Sequence, residues 1–194
     1  TVNKSTIEDA IWRSANFFDE PFGDNSAIAT YQVSNFAVKN VKMVLTGDGG
    51  DELLSGYGSY AGIKFSNLYS KLPMIMQKTL PKAVGLLSKG FNGGIRYKLN
   101  HIANVFETSN YPFIERYSQK AAFIPLPIIK KLTKPIKGII GIEDFLSDIM
   151  NKTTYKDDFY KLMYIHLKYT LPDDFLVKVD RMSMANSLET RAPF

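Results

Sequence analysis

Val41-Lys42-Met43-Val44-Leu45-Thr46-Gly47-Asp48-Gly49-Gly50-Asp51-Glu52 is an apolar run that ends in acids and glycines. Residues 41–46 read as a short buried strand stopped by a glycine break. In open α/β sheets, ligands bind just beyond the carboxyl ends of strands. Glycine at 47, 49 and 50 lets backbone approach a ligand closely. Asp48, Asp51 and Glu52 repel one another unless something positive sits among them. A hard divalent cation such as Mg²⁺ takes oxygen ligands and is commonly shared with substrate phosphates. Two plainer readings compete. Glycine and acid after a strand also compose an ordinary polar turn. A calcium loop places ligands at alternate positions, whereas Asp48 and Asp51 are three apart and Ser59 stands where the twelfth-position Glu belongs.

Upstream, Ile7, Ala10, Ile11, Ser14 and Phe18 recur at helical spacing, with Ser5 or Thr6 as N-cap and Glu8 and Asp9 in the first turn. Asp19-Glu20-Pro21-Phe22-Gly23-Asp24 breaks that helix, and residues 27–38 read as the next one. Helix, strand, loop and helix form the pattern of a nucleotide-binding α/β layer, expected over residues 1–60. Residues 61–170 read as mainly α-helical, punctuated by Pro73, Pro81, Pro112, Pro125, Pro127 and Pro135, with a turn at Phe91-Asn92-Gly93-Gly94. The spacing predicts one long helix over 147–171 that stops before Pro172 and buries Leu162, Ile165 and Tyr169.

With 194 residues, 45% hydrophobic content and a mean hydropathy of −0.13, the chain has the composition of a soluble globular protein. It holds no apolar run long enough to span a membrane and no visible signal peptide at Thr1. The missing initial Met suggests a processed or excised chain. The absence of cysteine excludes disulfides, zinc–thiolate sites and thiol nucleophiles within the chain, and fits a reducing compartment. The net charge of +5 comes partly from Lys120, Lys130, Lys131, Lys134 and Lys137, which fall with no acid between them. A solvated helix face explains that run better than a nucleic-acid surface.

The second dense patch runs from Leu171-Pro172-Asp173-Asp174 through Lys178-Val179-Asp180-Arg181-Met182-Ser183-Met184-Ala185 to Glu189-Thr190-Arg191-Ala192-Pro193-Phe194. Lys178 and Arg181 share a helical face. A mobile ammonium and a planar guanidinium both suit a departing pyrophosphate. An ordinary salt-bridged helix, with Asp180, Glu189 and Arg191 in an ion-pair network, is the alternative.

Residues 46–57 closely resemble the Ser-Gly-x-Gly-x-Asp-Glu-x-x-x-Gly-Tyr signature of the asparagine synthase family. Residues 19–24 resemble that family's Asp-Glu-Pro loop, and residues 178–194 its Lys-x-Asp-Arg-x-Ser-Met-Ala-x-x-x-Glu-x-Arg-x-Pro-Phe block. The resemblance implies a truncated ATP-pyrophosphatase (adenine-nucleotide α-hydrolase-like) domain, α/β by type and mostly helical by residue count. It implies a central fragment of the synthetase domain, with 171–194 as its cationic segment. The N-terminal glutaminase domain and the Ser-Gly-Gly-x-Asp-Ser pyrophosphate loop of full-length members have no counterpart here. The implied reaction converts aspartate, ATP and glutamine-derived ammonia to asparagine, AMP and pyrophosphate through a β-aspartyl-AMP intermediate, in the cytoplasm.

Residue by residue, the resemblance puts Thr46 and Gly47 on ATP and makes Asp51 a Mg²⁺ ligand. Asp48, standing where many members carry Glu, orients ammonia or accepts its proton. Lys178 and Arg181 stabilise the leaving pyrophosphate. Asp24 and Ser26 line the amino-acid pocket or cap a helix, Glu52 caps or supports the loop, and Glu189 pairs with Arg191. His101 and His166 read as packed or solvent-facing. Expected partners are small molecules, with neither nucleic acid nor membrane. The fragment alone is expected to form no amide, and an apolar patch left by missing strands would drive homo-oligomerisation. Amidation of another carboxylate (saccharide, peptide or lactam precursor) and a non-catalytic helical scaffold are the rival functions.

Overall fold

The computed structural model describes residues 4–121, 124, 126–132, 138 and 140–193. It is mainly helical, as expected, and divides into two compact units. Unit 1 comprises Thr1–Tyr57 with Met163–Phe194, and unit 2 comprises Gly58–Leu162.

In unit 1, α1 (Lys4–Phe17) and α2 (Ser26–Ala37) precede β1 (Met43–Leu45) and the short α3 (Gly50–Leu54). Since α1 begins at Lys4, Ser5 and Thr6 lie within it, not ahead of it as an N-cap. The core is Ala10, Ala27, Tyr31 and Met182, with Phe18, Phe22, Ile28 and Ala185 packed on it. These residues come from both ends of the sequence, so burial joins the two motif-bearing segments in one body. Full burial of Met182 contributes about 1.5–3 kcal/mol.

β1 pairs in parallel with β2 (Glu189–Arg191), Leu45 opposite Arg191, and the Thr46 N–H donates to the Arg191 carbonyl at 2.9 Å. The expected buried strand over 41–46 is corrected in both respects. Only three residues form strand, and Met43 and Leu45 are 49% and 72% exposed. Parallel strands usually have both faces covered. Among the described residues β1 pairs with β2 alone, which leaves its apolar side chains open.

In unit 2, α4 (Gly58–Tyr69), α5 (Met74–Ser88), α6 (Gly93–Thr108), α7 (Phe113–Ala121), α8 (Leu126–Leu132) and α9 (Ile142–Asn151) follow in order. Tyr69 stacks on Phe106 at 4.3 Å. Pro81, expected to break a helix, lies inside α5. Proline has no N–H for the carbonyl four residues back, here Gln77. The Tyr69 hydroxyl donates to that carbonyl at 2.5 Å, so the acceptor is satisfied and the helix continues. In the basic run, Lys120 and Lys131 are exposed, while Lys134, Lys137 and the Lys130 side chain lie outside the described residues, as do Pro125 and Pro135.

Arg116 of α7 is buried. Its guanidinium donates to Ser66 Oγ at 2.7 Å and to Asp158 Oδ2 at 2.6 Å. Lys161 also reaches Asp158, at 2.9 Å. Arg116→Met is expected to lower stability by about 2 kcal/mol, because Ser66 loses its partner while Asp158 keeps Lys161. The midpoint of urea denaturation measures it.

The helix expected over 147–171 is two helices. α9 ends at Asn151, and α10 (Asp158–Ile165) follows an interruption. Leu162 and Ile165 are buried as expected, whereas Tyr169 is only half-buried. Pro172 ends nothing: His166–Leu176 is π-helical and leads into α11 (Val177–Met184).

Candidate functional site

The glycine loop is built by backbone first. Gly49 has φ 90° and precedes α3. That left-handed conformation costs glycine little and a side-chain-bearing residue much more. The Gly50 N–H donates to the Gly47 carbonyl at 3.2 Å, tightening the turn. Asp48 is half-buried and Asp51 exposed.

Gly56 matters through space. A Cβ there would lie 2.0 Å from Asp51 Oδ1 and 2.9 Å from its Cγ. Gly56→Ala is therefore expected to evict the Asp51 carboxylate from its position. The expected cost is about 1–2 kcal/mol, read as a lowered melting temperature, together with reduced activity in the full-length protein.

Glu52 is 1% exposed and accepts a hydrogen bond from the Tyr57 hydroxyl. It supports the loop from inside. Tyr57 makes an edge contact with His166 at 5.5 Å. Burial pushes His166 below its ordinary value, with the Glu52 charge opposing. Folding thus keeps this imidazole neutral, while the unfolded chain takes up a proton below pH about 6.5. Stability should fall as pH drops from 6.5 toward the folded value, and the fall should shrink in His166→Asn. Urea titrations across that range measure it.

The second half of the site centres on Lys178, at the start of α11. Its ammonium donates to Asp24 Oδ2 at 2.7 Å, and the two side chains are only 12% and 18% exposed. It also lies 4.8 Å from the centre of the Phe175 ring, within cation–π range. Asp24 accepts from the Ser26 N–H and hydroxyl, both at 2.8 Å. Asp24 thus forms a local turn at the start of α2 and holds Lys178 as well. Burial raises the Asp24 pKa, but the bonds from Lys178 and Ser26 outweigh it and leave the carboxyl below its ordinary value.

Asp174 was not singled out from the sequence. Burial, then the Asp24 charge, push it above the ordinary carboxylate value, and Lys178 partly offsets them. Its Oδ1 is buried with no hydrogen-bond partner among the described residues. One ammonium therefore serves two carboxylates. The signal was available in the i, i+4 spacing of Asp174 and Lys178.

Arg181 pairs with Asp19. Glu189 and Arg191 pair with each other, and Asp180 takes no part in a network with them among the described residues. The structure thus joins Lys178, Asp24 and Ser26 in one cluster and Arg181 to the same 19–24 loop. No hydrogen bond or ion pair links Asp48 or Asp51 to Lys178 or Arg181 among the described residues. The glycine loop and the cationic segment are joined instead through the β1–β2 ladder.

A cavity of about 570 Å³ borders the cluster. Ile11, Ser14, Phe18 and Ile28 contribute to its wall, with Asp19, Glu20 and Asp24. Among the described residues no group of three His, Cys, Asp or Glu side chains could hold a metal. The exposed Asp51 carboxylate still fits Mg²⁺, which takes one or two carboxylates and completes its shell with phosphate and water.

The asparagine synthase family profile matches residues 1–194. Asparagine synthetase (glutamine-hydrolyzing) 1 of Bacillus subtilis is 29% identical over 177 residues, covering 91% of this chain and 27% of that protein. A putative asparagine synthetase (glutamine-hydrolyzing) of Mycobacterium tuberculosis is 28% identical, covering 98% of this chain and 27% of its own length. A putative asparagine synthetase (glutamine-hydrolyzing) 2 of Methanocaldococcus jannaschii is 30% identical, at 92% and 32% coverage. The chain spans about a quarter to a third of the length of these relatives. No solved structure matches it significantly. Matched by the family profile from end to end, and carrying all three segments that resemble its motifs in one compact unit, the chain belongs to the asparagine synthase family.

Proposed function

We propose that this chain is the carboxylate-activating part of an ATP-dependent amide-forming ligase, on an ATP-pyrophosphatase type of fold. One observation carries the reading. Two segments some 140 residues apart in sequence, the glycine–acid loop and the Lys178–Arg191 segment, meet through the pairing of Leu45 with Arg191.

Carboxylate oxygen is a poor leaving group, so ammonia does not displace it directly. Transfer of AMP from ATP to the β-carboxylate of aspartate makes a mixed anhydride, and pyrophosphate departs. Ammonia, supplied by a glutaminase domain, then displaces AMP. The protein's task is to align the reactants and neutralise the charge that develops on the departing group. Thr46 and Gly47 hold ATP through backbone. Lys178 and Arg181 meet the pyrophosphate, with Asp24 and Asp19 holding them in place beforehand. Asp48 takes the proton from the attacking amine. Asp51 is the residue that would hold Mg²⁺, which when bound neutralises phosphate charge. Asp24 and Ser26 form one side of the amino-acid pocket.

The cavity favours a second reading for the acceptor. Its apolar wall and carboxylate rim suit a larger, less anionic substrate than aspartate, as in amidation of a peptide or saccharide precursor.

Pyrophosphate release from ATP by the full-length protein, measured against a panel of carboxylic acids, tests the function. Release that depends on aspartate or another carboxylate supports it. ATP turnover independent of any carboxylate, or none at all, overturns it.

A further inference from the structure

Between Glu52 and Glu107 the chain carries no acidic residue, while Lys or Arg stands at 64, 71, 78, 82, 89, 96 and 98. Most of this stretch is the α5–α6 hairpin of unit 2, whose helices pack on each other across the turn at residues 89–92. Pro81 and Ser88 of α5 and Ala103, Val105 and Phe106 of α6 are buried. Met74, Ile75 and Met76 at the far end of α5 are exposed, and so are the apolar side chains of the turn end. Leu86 and Leu87 are 69% and 62% exposed, and Phe91, Ile95 and Tyr97 are exposed with them. Lys89, Arg96 and Lys98 are exposed among these side chains. Lys78 and Lys82 lie one turn apart on α5, and Lys89, its C-cap, follows seven residues on, which continues their stripe.

A monomer seldom leaves large apolar side chains open in such a group without a partner. Apolar side chains flanked by lysine and arginine, in a stretch of sequence without an acid, match the boundary between anionic headgroups and acyl chains. We propose that the turn end of the α5–α6 hairpin docks on an anionic lipid bilayer, with Leu86, Leu87 and Phe91 entering the boundary and Lys89, Arg96 and Lys98 against lipid phosphates. Nucleic acid would also attract the cations, but exposed leucine and isoleucine gain little from stacked bases. Docking does not require spanning, and no described helix is long and apolar enough to cross a membrane. This inference goes beyond the ligase reading and does not rest on it.

Co-sedimentation of the 194-residue chain with phosphatidylglycerol-containing vesicles, against pure phosphatidylcholine, tests it. Binding to the anionic vesicles should weaken with salt. Lys89→Gln/Arg96→Gln/Lys98→Gln should weaken it about a hundredfold, at about fivefold per cation. Leu86→Gln/Leu87→Gln should also weaken it. As the chain has no cysteine, Phe91→Cys can carry a single polarity-sensitive dye, whose emission should shift to the blue on vesicles. Failure to bind at low salt, a dye that stays in water, or binding indifferent to the leucine pair overturns the proposal. So does full displacement by single-stranded DNA with no effect of the leucine pair, which marks a nucleic-acid surface.

Discussion

Lys178→Met in the full-length protein is expected to cut ATP-dependent pyrophosphate release by a factor of about 10²–10³, the usual consequence of losing one preorganised charge-stabilising donor. The substitution keeps much of the side-chain stem near Phe175 and removes the charge. It also costs stability, because Asp24 loses the ammonium at 2.7 Å. Asp24 and Asp174 then repel each other without compensation. The pair is only partly buried, so the cost should be about 2 kcal/mol, below the roughly 3–5 kcal/mol seen when a fully buried pair is broken. The sign with pH follows from the depressed Asp24 value. Its contribution to stability is complete above the ordinary carboxylate value of about 3.8 and is lost as pH falls through the folded value. Lys178→Met should lose much of this acid dependence, since only the Ser26 bonds remain. Assays far below the melting temperature separate chemistry from folding. Lys178→Arg should recover most of the stability and part of the release.

Asp51→Asn should lower pyrophosphate release by a similar factor with little change in melting temperature. The carboxylate is exposed and makes no hydrogen bond or ion pair among the described residues, so its charge contributes little to folding. Asparagine keeps the shape that sits against Gly56 and removes the charge suited to a hard cation. Raised Mg²⁺ concentration should restore part of the activity. Gly56→Ala makes the complementary change, keeping the charge and moving it. A loss in both variants would assign the effect to where the charge sits, not merely to its presence.

Much of this was legible in the sequence. Ile7, Ala10 and Ile11 signalled α1, the apolar run before Gly47 signalled β1, and the spacing of Lys178 and Arg181 signalled a shared helical face. What the sequence could not supply was the partner of each group. Local spacing placed Lys178 near Arg181, but its ion pair with Asp24 spans 154 positions and follows from α11 packing against α2. Pro81 and Pro172 misled for a related reason. Proline stops a helix most readily when its missing donor leaves an acceptor orphaned; at Pro81 the Tyr69 hydroxyl removes that consequence, and at Pro172 the chain continues as a π-helix. Exposure of Met43 and Leu45 was hidden because an apolar run gives no count of neighbouring strands.

A double-mutant cycle on pyrophosphate release, with Asp51→Asn and Lys178→Met separately and together in the full-length protein, tests most directly whether the glycine loop and the α11 cation act on one triphosphate. If they do, each single change removes most of the rate and the double variant is scarcely slower than either. Strictly multiplicative losses, or a release rate that ignores either residue, would contradict the account.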